Sequence, residues 1–226
     1  MAMNALNSYF KRNWNKDDIM NLDEIDLDIH RTLKNVYLTL FGAMLSCTFG
    51  FISVAGGNFT VLSYVASLIL LYFTPPGRII RIIRILFSML AAYSFGAFEG
   101  VFTNYLFKIE QSYALRFFGG ITMGIGNFLY EAKTSTERIN IYIGFLKYCF
   151  VLMITGVSFT LLDINTALWM IIALFMGYLV LFSQEILYDA NVGDINFVNC
   201  TLTVFFNLPA IVIHAARLHL QGAENE

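Results

Sequence analysis

The sequence predicts an all-α fold, a polytopic membrane bundle of about seven transmembrane helices, and three observations carry that prediction. Hydrophobic residues make up 58% of the 226 positions and charged residues only 13%, about half the share usual in soluble domains. The apolar residues fall into seven stretches, at 35–55, 59–74, 82–104, 112–130, 140–162, 166–188 and 197–218, each near the 20 or so residues that span a bilayer. Basic residues crowd one set of connections and are nearly missing from the other, as the positive-inside rule requires of cytosolic loops. No extramembrane catalytic domain fits in what is left, so the chain reads as a cytosolic arm (1–34), a transmembrane domain (35–218) and a short tail (219–226).

The arm mixes Lys11, Arg12 and Lys16 with Asp17, Asp18, Asp23, Glu24, Asp26 and Asp28. It has no short apolar core before Val36, so a cleaved signal peptide is not expected. Ile19, Leu22, Ile25 and Ile29 recur at near-helical spacing and predict an amphipathic helix along the membrane surface. The second stretch is short and stops at Pro75-Pro76-Gly77, because proline cannot continue the helical hydrogen-bond ladder. Arg78, Arg81 and Arg84 follow as a basic stripe suited to snorkelling into headgroups. With Lys133 and Arg138 they place the N-terminus and the even-numbered turns in the cytosol, while the loops near 55–58 and 162–166 carry no Lys or Arg. Seven full crossings put the C-terminus outside; a re-entrant last segment reverses that.

Glycines inside the spans, Gly42 with Gly50, Gly96 with Gly100, and Gly120 with Gly124 and Gly126, predict close helix packing. Read as a nucleotide loop, 119–126 lacks the spacing and a preceding strand. Cys47, Cys149 and Cys200 lie in apolar runs without CxxC spacing and read as packing thiols, and His30, His214 and His219 show no metal-ligand spacing. No serine-hydrolase or intramembrane-protease pattern is present, so no enzyme, no cofactor, no metal and no nucleic-acid partner is expected.

Two acids stand out. Glu99 has no charged neighbour between Arg84 and Lys108, which places it near the middle of the third stretch, where it either lines a polar cavity or packs in protonated form. Ser183, Gln184 and Glu185 continue the apolar run from Ala167 with no loop signal between. There Glu185 either faces other helices or a watered cavity, or marks the helix end at the interface. Glu99, Gln184 and Glu185 are therefore the candidate ion pathway.

Gly177-Tyr178, a short apolar run, Gln184-Glu185-Ile186, then Ala190, Gly193-Asp194, Leu202-Thr203 and Phe205 resemble the last block of the Bax inhibitor-1 family, above all its plant branch. Leu33 to Leu40 resembles that family's entry into its first span, and Gly96 with Gly100 its third-span glycine pair, although the proline expected next is Val101. The resemblance implies an endoplasmic-reticulum membrane protein that suppresses programmed cell death and influences calcium release from the store. In bacterial members a pair of aspartates in the last two helices gates a proton-sensitive calcium leak; the corresponding positions here are Phe182 and Asn207. Because a shared proton needs two carboxylates, the substitution predicts a weak leak, with calcium as the permeant ion, that lacks a sharp pH response. The other reading is a non-conducting paralogue that works by binding membrane-protein partners in the bilayer.

Overall fold

The computed structural model describes residues 21–53, 58–73, 80–102, 111–159, 164–192, 197–202 and 204–205. Six helices fill them: α1 (Leu27–Ser53), α2 (Asn58–Phe73), α3 (Ile80–Phe102), α4 (Gln111–Thr134), α5 (Arg138–Phe159) and α6 (Ile164–Val192). Helical turns at 197–202 open where the seventh stretch is expected. Among the described residues the extended pairing is a single isolated bridge, Glu24 with Glu137.

Local chemistry accounts for these helices. Hydroxyls that would otherwise be stranded in an apolar medium donate to carbonyls one turn back, as Thr39 does to Asn35, Ser67 to Ser63, Thr122 to Phe118 and Thr201 to Phe197. Helix α2 is described to Phe73, and the two prolines that follow lie outside the described residues. Large apolar side chains also cover the outside: Phe49, Leu62, Phe73, Ile82 and Phe150 are all exposed. Helices apolar on both faces, around a core already filled, suit lipid as the outer solvent. By length and composition α1 and the 81–101 stretch of α3 can each cross a bilayer.

Helix α1 is the centre. It packs mainly on α3 and α4 and also touches α6, while α2 lies on α3, and α4, α5 and α6 pack on one another. Its buried side chains Leu33, Val36, Tyr37, Leu40, Met44, Cys47 and Phe51 run the length of one face. Contact with α3 is backbone to backbone: a Cβ on Gly50 would overlap the carbonyl of Tyr93, and one on Gly96 the carbonyl of Cys47. Gly124 admits Met176 of α6, and Gly126 faces the ring of Phe41. The packing role read for these glycines and for Cys47 is what the structure shows.

Three boundaries depart from expectation. α1 begins at Leu27 rather than 35, α4 continues to Thr134 and α6 to Val192. With 27 and 29 residues, α1 and α6 are about 40 and 44 Å long, more than the roughly 30 Å of a hydrocarbon core. Hydropathy marks where lipid ends, not where a helix does. The start of α1 and the end of α6 lie at the same end of the bundle as the α4–α5 turn, since successive helices alternate in direction. The surface helix expected around Ile25 is not formed over 21–26: that stretch is non-helical, Ile25 is buried and Leu22 exposed, with Ile19 outside the described residues.

Candidate functional site

At that end of the bundle, polar side chains from far-apart stretches meet. Arg138, the first residue of α5, is 7% exposed, and Gln184 of α6 is 5% exposed. The Arg138 guanidinium donates to Oε1 of Gln184 (3.3 Å) and to the carbonyl of Asn21 (3.4 Å). Gln184 Nε2 donates to the same Asn21 carbonyl at 2.9 Å. Beside them the ring of buried His30 meets the Ser135 carbonyl through Nε2 at 3.1 Å, and the Ile25 amide donates to the Thr136 carbonyl at 3.4 Å. Burying Ile25 contributes about 1.5–3 kcal/mol towards holding residues 21–26 in place. One carbonyl, two side-chain donors and one apolar anchor thus close the end of α5 and α6.

Gln184, singled out in the sequence, is the member of the candidate pathway that this cluster contains. Next to it Ser183 is fully buried; its hydroxyl meets the Tyr37 hydroxyl, and both reach the carbonyl of Leu179. Glu185 is half-buried inside α6 and does not mark the helix end, since α6 continues to Val192. Phe182, at a family aspartate position, is 5% exposed and belongs to the hydrophobic core with Ile186, Leu187 and Phe205. Asn207 lies outside the described residues.

Glu99 is elsewhere. It sits half-buried on α3, three residues before Phe102. Its neighbour Gly100 packs on Phe51, whereas Ser183 packs on Tyr37. Residues 37 and 51 are about 21 Å apart along α1 at 1.5 Å per residue. Glu99 and the Gln184–Glu185 pair therefore occupy opposite ends of the bundle rather than one site.

A second polar contact was not legible in the sequence. Arg84 does not snorkel: it is 6% exposed and donates to Oδ1 of Asn199 at 2.7 Å, while Arg81 lies over the Phe197 ring at 5.3 Å. Arg78 is outside the described residues. The two arginines hold the start of the last segment against α3. Asn199 opens a glycosylation sequon, Asn199-Cys200-Thr201, which says nothing of an arginine partner, so only the arginine at a membrane mouth could have hinted at it. Four buried donors have no acceptor among the described residues: Arg84 Nε, Arg138 Nε, Asn127 Nδ2 and the Tyr142 hydroxyl. Such groups cost free energy when dry, so the interior beside them favours water. Among the described residues no group of three His, Cys, Asp or Glu side chains could hold a metal ion. What the arrangement can do is hold helices by charged and amide hydrogen bonds that solvent or an ion can compete for.

No family model matches the chain, and no solved structure matches it at a significant level. Two plant proteins do. "Bax inhibitor 1" of Arabidopsis thaliana is 25% identical over 240 residues, covering 99% of this chain and 96% of the relative. "Bax inhibitor 1" of Oryza sativa subsp. japonica is 26% identical over 224 residues, covering 94% and 89%. Both alignments take in nearly all of this helical membrane bundle, so the chain is similar along its length to these two Bax inhibitor 1 proteins.

Proposed function

We propose that the protein is an endoplasmic-reticulum membrane suppressor of programmed cell death that modulates store calcium through a weak cation leak. The observation that carries this reading is the likeness, along nearly the whole chain, to two proteins named Bax inhibitor 1. Its action needs no catalysis, cofactor or nucleic acid; its partners are the bilayer, calcium as the permeant ion, and other membrane proteins. Glu99 at one end and Gln184 with Glu185 at the other supply polar groups to such a path. Expression in cells challenged with a pro-death stimulus should delay death, with the protein in the endoplasmic reticulum. Unchanged survival at good expression removes the proposal.

The N-terminus faces the cytosol in this reading, because Lys and Arg concentrate on its side. A tag at Met1 should be digested by protease added to sealed microsomes; a protected tag reverses the orientation.

A second reading, a non-conducting paralogue acting on membrane partners, is favoured by Phe182, an apolar side chain in the core where the family's leak needs an acid. Proteoliposome calcium flux separates the two. The unmodified chain should show a small flux nearly flat between about pH 6 and 8, the range open to a coupled or buried carboxylate. Phe182→Asp with Asn207→Asp should make the flux pH-dependent, and Glu99→Gln should lower it. Zero flux throughout leaves the second reading; a large, steep flux from the unmodified chain shows that other groups replace the aspartates.

A further inference from the structure

We propose that residues 21–26 form a strap that closes one end of the bundle over Gln184 and Arg138, and whose release opens that polar end to solvent. The strap is tied on its inner side. Its Asn21 carbonyl accepts from both Gln184 and Arg138, its Ile25 side chain is buried, and its Ile25 amide reaches Thr136 of the α4–α5 turn. The two side chains that it caps are both buried.

Among the described residues nothing covers the strap's outer side. Leu22, Asp23, Glu24 and Asp26 are exposed, and the pairing with the α4–α5 turn is one isolated bridge. That bridge sets Glu24 opposite Glu137, both exposed, and like charges directly across a bridge oppose pairing. The chain is non-helical up to Asp26 and helical from Leu27, so a change of a few backbone angles there swings the strap without disturbing α1.

The groups beneath gain from its release. Arg138 Nε and, one turn on along α5, the Tyr142 hydroxyl are buried without an acceptor among the described residues. Among the described residues no carboxylate lies within ion-pair distance of Arg138. Water admitted by an open strap hydrates that cation and satisfies both donors, offsetting the loss of the Asn21 bonds and of Ile25 burial. Closed and open forms are thus balanced by opposing terms of similar kind, which is the condition for a local two-state element.

The test uses the full chain in lipid nanodiscs, where both faces are accessible, with Cys47, Cys149 and Cys200 replaced by Ala. A reporter, Tyr142→Cys, at a buried position that leaves the Asn21 bonds in place, should react slowly with a membrane-impermeant maleimide. Adding Ile25→Asn should speed it by about tenfold or more, and Ile25→Val should not. In a separate chain with native Ile25, Glu24→Cys and Glu137→Cys should cross-link under mild oxidation, since bridge partners lie within disulfide reach. Fast labelling with native Ile25, labelling that Ile25→Asn leaves unchanged, or failure of the pair to cross-link overturns the strap. The cross-link arm stands even where Ile25→Asn impairs folding. None of these readouts involves calcium, so a strap that opens in a protein without flux refutes the leak and not the strap.

Discussion

Gly96→Leu is expected to prevent recovery of folded protein. Gly96 and Gly50 are where α1 and α3 touch through their backbones, and a Cβ at 96 would overlap the carbonyl of Cys47, which no rotamer change can move. A leucine must therefore push the helices apart along a line that also includes Gly100 against Phe51. Overpacking a core costs about 1–3 kcal/mol when side chains can yield; here backbone must yield, so the upper end of that range or more is expected. Because α1 is the helix around which α3, α4 and α6 assemble, the loss spreads through the bundle. Gly119→Leu is the control. A Cβ there meets nothing within 4 Å, and the expected change is within about 0.5 kcal/mol. Thermal unfolding in detergent and the monodisperse fraction on gel filtration should separate the two variants clearly. Equal behaviour would show that α1 and α3 do not cross as described.

Tyr37→Ala should be the most costly truncation of a side chain. Tyr37 is fully buried, its ring lies 4.1 Å from that of Phe128 between centroids, and its hydroxyl donates to the Leu179 carbonyl at 3.0 Å while meeting the Ser183 hydroxyl. It joins α1, α4 and α6 at once. Removing the ring should cost about 3–5 kcal/mol, by analogy with other buried aromatic truncations. Tyr37→Phe keeps the ring and should cost nearer 0.5–1.5 kcal/mol, the net value of an ordinary hydrogen bond. The ratio is the diagnostic quantity in an unfolding series. A phenylalanine variant as unstable as the alanine one would move the weight of this contact from ring packing to the Ser183–Leu179 bonds.

Gly177 shows where a family motif and a packing role part company. It matches the family block, yet it is exposed and a Cβ there would touch nothing within 4 Å. Its place in the motif has no account in the packing of the described residues. Gln184 is the opposite case: a motif residue whose buried, bonded place the structure explains through Arg138 and Asn21.

What the sequence by itself determined is the order and approximate extent of the helices, and the places where they can approach. An apolar run, a proline pair and a glycine spaced along one face act locally, so their reading needs no knowledge of the rest of the chain. Gly96 admits α1 for reasons visible within a few residues. The extensions of α1, α4 and α6 escaped that reading because polar residues remain helical once outside lipid, and hydropathy registers only the lipid. Tertiary structure alone decided which polar groups meet. Asn21 finds Arg138 and Gln184 across 117 and 163 residues, and Arg84 finds Asn199 across 115. A hydrogen bond depends on distance and direction between two groups, and helix periodicity specifies neither once separate helices are involved. For that reason Arg84 looked like a snorkelling cation and Ile25 part of a surface helix. The physical cause is the same each time: packing, not local pattern, sets how much water a charged or apolar side chain keeps.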